Sequence, residues 1–124
     1  MFYGMTMFAQ LAQGHAVPTI VTLGQSVNFT AYGVARTDGG VNVLLINKDP
    51  SVSVIANIDA GSSVNAMVPL ALTGPELSST TGFLLGNTAI GSNGAWSPQR
   101  ANALPAAKGL LTVTVAPLTA LLLQ

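Results

Sequence analysis

The feature that most restricts how this chain can fold is a period-two alternation that recurs in short runs. In "SVNFTAYGVAR", Val27, Phe29 and Ala31 alternate with Asn28 and Thr30. In "SVSVIANI", every second place is taken by Val52, Val54, Ala56 and Ile58. "VNAMVPLAL" repeats the pattern with Val64, Ala66, Val68, Leu70 and Leu72, and "LLTVTV" with Leu111, Val113 and Val115. Successive side chains of a strand point to opposite faces, so these runs read as half-buried strands. "VNVLLINKD" differs, with Val41, Val43 and Leu45 on one face and Leu44 and Ile46 on the other. Both of its faces are expected to be covered. "PTIVTL" reads as a further strand, and Leu121–Leu123 as the last, after a turn near Ala116-Pro117. Asp38-Gly39-Gly40 gives a hairpin signal with positive-φ positions. Asp49-Pro50 ends a strand, and Pro69 marks an edge strand or a bulge, because proline has no N–H for the ladder. Short strands at regular spacing predict an all-β fold, an antiparallel β-sandwich over residues 15–124.

Ahead of the strands, "MFYGMTMFAQLAQG" predicts a short N-terminal helix within residues 1–14, ending at Gly14. Met1, Met5, Phe8 and Ala12 form one stripe; Tyr3, Met7 and Leu11 form another. A helix that is apolar all round is buried on more than one side. One sandwich covers one side, so Phe2, Tyr3, Met7, Phe8 and Leu11 are the expected interface residues. At 124 residues the whole chain reads as one domain with a real core.

Charged residues are 6% of the chain and the net charge is +0, where ordinary domains carry about 25% charged residues. The surface is built of Ser, Thr, Asn, Gln and Gly, which little charge protects from association. Arg36, Lys48, Arg100 and Lys108 are scattered and form no phosphate-neutralising stripe, which argues against nucleic acid as a partner. No apolar run approaches about 18 residues, so no membrane-spanning helix is expected. No Lys or Arg precedes Arg36, so the N-terminus is a poor signal peptide. With no cysteine, disulfides and cysteine-based metal sites are excluded.

Chemistry is sparse. Glycosidase catalysis needs two carboxyl groups roughly 5–9.5 Å apart. Asp38 and Asp49 bracket one strand, and Asp59 and Glu76 sit at turn positions. His15 is the only histidine and follows a helix end, which is too little for a zinc site. No catalytic, cofactor-binding or metal-ligating residues are therefore expected. "NKD" at 47–49 reads as a local ion pair with an Asn closing a turn. Asn28-Phe29-Thr30 matches the glycosylation sequon but falls inside an expected strand. "GNTAIGSNG" lacks the Lys-Ser/Thr ending of a phosphate loop. Trp96, with Tyr32, is the one hint of a sugar-stacking surface; the alternative is that Trp96 anchors its own loop.

The order of motifs carries a resemblance. "YGMTMFAQLAQG", then "FTAYGVARTDGGVNVLLINKD", "LTGPELSSTTGFLLGNTAIGSNGAW" and a closing "LLTVTVAPLTALLLQ" together resemble the C-terminal β-domain of glycoside hydrolase family 79. These are β-glucuronidase and heparanase-type enzymes. "INKD" and "TGFLLGNTAIGSNGAW" are the most specific parts. The resemblance implies a sandwich packed beside a (β/α)₈ barrel that carries the two catalytic glutamates of a retaining hydrolase. No position of this chain matches either glutamate, so the chain is expected not to be an enzyme by itself. The implied partner is that catalytic barrel, covering the second face of the helix; in isolation, a homo-oligomer is expected. In such enzymes residues before the barrel add strand structure to the sandwich, so an unfilled edge is expected here. The alternative reading is a small carbohydrate-binding module.

Overall fold

The structure is a computed structural model and describes residues 2–99 and 101–124. Met1 of the apolar stripe and Arg100 of the scattered bases lie outside the described residues. Among the described residues a helix, α1 (Phe2–Leu11), leads into ten strands: β1 (Gly14–Val17), β2 (Phe29–Arg36), β3 (Val41–Asn47), β4 (Val54–Asp59), β5 (Ala66–Met67), β6 (Pro69–Thr73), β7 (Leu84–Leu85), β8 (Leu104–Pro105), β9 (Leu110–Val115) and β10 (Thr119–Leu123). A large sheet runs β1-β2-β3-β10-β6-β7, and two ribbons, β4-β9 and β5-β8, form smaller sheets. Every pairing between these strands is antiparallel. The expected all-β antiparallel sandwich with one short N-terminal helix is the fold observed.

The large sheet is covered on both faces, which explains its most apolar strands. From β3, Val43 and Leu45 enter one core with Leu121 and Leu123 of β10, Ile58 of β4, Met67 of β5 and Leu111, Val113 and Val115 of β9. The alternate residues, Leu44 and Leu122, enter a second core with Val34, Leu85, Met7 and Leu11. β3 and β10 are central strands buried on both sides, so they read as continuous apolar runs. β9 has one buried face and alternates cleanly, with Thr112 and Thr114 outward. Thr112 donates to Asn57 Oδ1 of β4 across the outer face at 2.8 Å.

Asn47 fastens the two layers. It is fully buried at the end of β3, and its Nδ2 lies 2.8 Å from Val52 O, 3.1 Å from Val115 O and 3.1 Å from Ala116 O. Its Oδ1 accepts the Asp49 N–H. One amide therefore ties the entry to β4 to the end of β9 and the turn that follows it.

Several expectations need correction. The helix stops at Leu11, three residues before Gly14. Gly14 instead opens β1, where a Cβ would run into the Ala35 carbonyl of β2, so close backbone approach requires glycine. Of the three turn residues at 38–40 only Gly39 has positive φ, at 88°. "PTIVTL" forms no strand, and Pro18 gives the reason: it cannot donate to the ladder beyond Val17. The alternation at 64–72 breaks at Val68 into β5 and β6. Val68 exchanges both backbone hydrogen bonds with Gln124, so the next residue, Pro69, falls at a position whose missing N–H faces away from β10. The Lys48–Asp49 ion pair does not form; among the described residues the salt bridge is Arg36 to Asp38, at 3.0 Å. Asn28 lies one residue before β2 and is exposed rather than inside a strand.

Candidate functional site

The helix is two-faced in position although not in polarity. Its inner face sets Met7 and Leu11, 3% and 5% exposed, against the second core. Tyr3 is half-buried on the same side. Its hydroxyl oxygen accepts the Ile90 N–H at 2.9 Å, and its ring tilts 41° against Phe83 with centroids 6.1 Å apart. The helix C-terminus is capped from the sheet: buried Asn42 of β3 donates through Nδ2 to Gln10 O and Leu11 O, both at 3.2 Å. These carbonyls have no partner within the helix. Arg36 Nη1 donates to Asn42 Oδ1 at 3.1 Å and holds the amide in that orientation.

The outer face carries Phe2, Met5 and Phe8, exposed by 57%, 63% and 63%. No acidic residue in the first turn or basic residue in the last interrupts it. Of the five residues expected at an interface, Met7 and Leu11 are thus occupied by the chain's own sandwich. That face of the helix is already covered, and the correction is physical: a residue buried at a few per cent offers no surface to a partner. Phe2 and Phe8 remain available, Tyr3 in part, and Met5 joins them. Its place in the apolar stripe was visible in the sequence, but which stripe faces outward was not.

Trp96 is half-buried against the second core, and its indole N–H donates to Leu85 O at 3.0 Å. It anchors the 86–99 loop to β7. Tyr32 is exposed on β2, four strands away in the order of the large sheet, a separation of about 19 Å at ~4.8 Å per strand. The two rings form no common platform.

The carboxylates are engaged by their own turns. Asp38 Oδ1 accepts the Gly40 N–H at 2.9 Å and the Arg36 Nε–H, and these bonds hold its pKa below the ordinary 3.8. Asp49 Oδ1 accepts the N–H groups of Ser51 and Val52, each at 2.9 Å, which lowers its pKa likewise. Asp59 Oδ1 accepts the Gly61 N–H at 3.0 Å. Glu76 is exposed in the loop after β6. Among the described residues no group of three or more His, Cys, Asp or Glu is placed to hold a metal ion. His15 is exposed on β1, opposite Ala35.

With this geometry in view, comparison with known proteins gives a consistent result at the level of fold. No family model matches the sequence, and no curated protein matches it. Among solved structures, the chain is similar to part of a 4-O-α-L-rhamnosyl-β-D-glucuronidase from Fusarium oxysporum 12S. The TM-score is 0.67 with 19% identity over 92% of this chain and 27% of that one. It is also similar to part of a family 51 arabinofuranosidase from Xanthomonas axonopodis pv. citri, with TM-score 0.51 and 16% identity over 86% of this chain and 20% of that one. The protein therefore has a β-sandwich fold of the kind found as a portion of larger glycoside-hydrolase chains. It spans about a quarter of the length of the first of these and a fifth of the second.

Proposed function

We propose that this chain is a non-catalytic accessory β-domain of a glycoside hydrolase of the family 79 type, docking through the outer face of α1 onto a catalytic (β/α)₈ barrel. The observation that carries the reading is the uncharged face formed by Phe2, Met5 and Phe8 on a helix whose other face is fixed to the sandwich. Three large exposed apolar side chains on one short element mark a contact surface. The likeness of the fold to about a quarter of a larger glucuronidase chain supports a catalytic domain as the partner. The placement of the carboxylates supports a non-catalytic role, since each described Asp is hydrogen-bonded within its own turn.

The test is complementation. A family 79 barrel stripped of its own sandwich is mixed with this chain, and thermal stability and glucuronidase turnover are followed. The reading expects the chain to raise both, and Phe8→Lys to abolish the effect without unfolding the chain. A folded chain that leaves the barrel unchanged at concentrations up to about 100 μM overturns it.

A further inference from the structure

The two layers of the sandwich are unequal. β4 pairs with β9 on one side, and its other edge carries no strand among the described residues. Beyond that edge the large sheet continues through β2 and β1. Between them lies a cavity of about 1060 Å³, lined by Phe29, Ala31 and Gly33 of β2, Val43 and Leu45 of β3, and the length of β4. Its remaining wall is the segment 17–25.

This segment is too long for its topological task. β1 and β2 are antiparallel neighbours, and such pairs need about 2–5 connecting residues; here residues 18–28 intervene. It departs from the large sheet at Pro18 and crosses Gly33, where a Cβ would stand 3.0 Å from both Val17 Cγ2 and Thr19 Oγ1. It then leaves Ile20 93% exposed, on a stretch, "TIVTL", rich in the β-branched residues that favour strands.

We infer that Thr19–Thr22 forms a strap that closes onto the free edge of β4 as the third strand of the small sheet, with Val21 opposite Val54. Direction and register follow from the observed strand pairings. β1 and β3 are both antiparallel to β2, and β3 reaches β4 through a short turn. A strand continuing the course of β1 therefore runs antiparallel to β4. Val17 is level with Val43, since both pair with Gly33; four residues on, Val21 is level with Asn47. Asn47 is bonded to Val115 O, and Val115 pairs with Val54. That register also satisfies the alternation. Val21 joins Val54 and Val115 facing inward, and Thr19 sits opposite Ala56 over the gap left by Ala31 and Gly33. Ile20 faces outward beside Ile55, which is 70% exposed on β4.

A second copy is the wrong shape for this edge. Antiparallel pairing of two β4 strands about a two-fold axis puts both large sheets on the same side, with their β1–β2 overhangs directed at each other. Parallel pairing turns the partner's Ile55, Asn57 and Asp59 toward the cavity.

The chain has no cysteine, so engineered disulfides report proximity without ambiguity. Residues opposite one another in an antiparallel pair have Cα atoms about 4.5–5.5 Å apart, within disulfide range. Under mild oxidation of the whole chain, Val21→Cys/Val54→Cys is expected to cross-link nearly completely. The off-register pair Val21→Cys/Ile58→Cys, about 13 Å further along the strand, is expected to yield at least about tenfold less product. Hydrogen exchange on the unsubstituted chain should show the Ile20 and Thr22 amides, opposite Ile55 and Ser53, slowed at least about a hundredfold relative to a free peptide, and the Val21 amide, which points away from β4, slowed less. Equal cross-linking of the two pairs, no cross-linking in folded variants, or free-peptide exchange at Ile20 and Thr22 would each overturn the strap.

Discussion

Asn47 is the side chain whose loss should be felt most. It is buried and serves three carbonyls, one just before β4 and two where β9 ends. Asn47→Ala leaves those carbonyls unpaired, and the expected destabilisation is roughly 2–4 kcal/mol, read as a shift of the urea midpoint at constant slope. Gly39 is a second sensitive position, for a backbone reason. At φ 88° a β-branched residue is strained, so Gly39→Val should cost on the order of 1–3 kcal/mol. Gly40 was expected to share this role and does not. Its φ is ordinary, but a Cβ there meets the Arg36 guanidinium. Gly40→Val should therefore disturb the Arg36–Asn42 bond that caps the helix, detectable as faster exchange of the helix amides. Asp38 and Asp49 set the acid limit. Both have folded pKa values lowered from the ordinary 3.8 by turn N–H groups. Their turn-stabilising contribution is therefore complete above about pH 4 and is lost as pH falls through the lowered values. A urea midpoint that declines below about pH 4 in the parent, and declines less in Asp49→Asn, is the expected profile.

At the scale of elements, α1 separates two kinds of apolar residue that are indistinguishable in the sequence. Met7→Lys forces a charge into the second core and should unfold the chain or destabilise it by roughly 3 kcal/mol or more. Phe8→Lys replaces a residue 63% exposed, and its thermal midpoint should stay within a few degrees of the parent. Parallel melts by circular dichroism check both; equal losses would mean the helix is rotated. The strands show which parts of the fold were legible in advance. β9 and β4 lie on one core and alternate, so their faces could be assigned from spacing alone. β3 announced that both of its sides are covered. "PTIVTL" has the composition of a strand, yet Pro18 takes it out of the large sheet, and composition alone does not say which sheet a strand-forming stretch joins. Gly14 was read as a helix stop because glycine commonly ends helices. Its reason here is the approach of the β2 backbone, a contact between residues 21 positions apart.

At the scale of the whole molecule, the open helix face should drive association when no catalytic domain is present. Covering about 400 Å² of apolar surface contributes roughly 10 kcal/mol, and association costs about 4–15 kcal/mol. These magnitudes lie close together, so the expected outcome is a weak dimer, closed about a two-fold axis as such contacts commonly are. Light scattering at micromolar to millimolar concentration should show a mass rising toward twice 12.6 kDa. Phe8→Lys should hold it at the monomer value, whereas retention of the dimer by Phe8→Lys would place the contact elsewhere.

The class of fold was legible from local signals, because period-two alternation, turn residues and strand-ending prolines act within a few residues of where they stand. It also showed that one short helix is apolar on every side. Which side meets the sandwich was settled by packing, since Met7 and Phe8 differ by a single step around the helix and both are large and apolar. Tertiary structure likewise turned Trp96 to the Leu85 carbonyl and brought the distant Val115 and Ala116 carbonyls to Asn47. Such contacts join residues far apart in the chain, and their geometry depends on strand order and register, which no local pattern encodes.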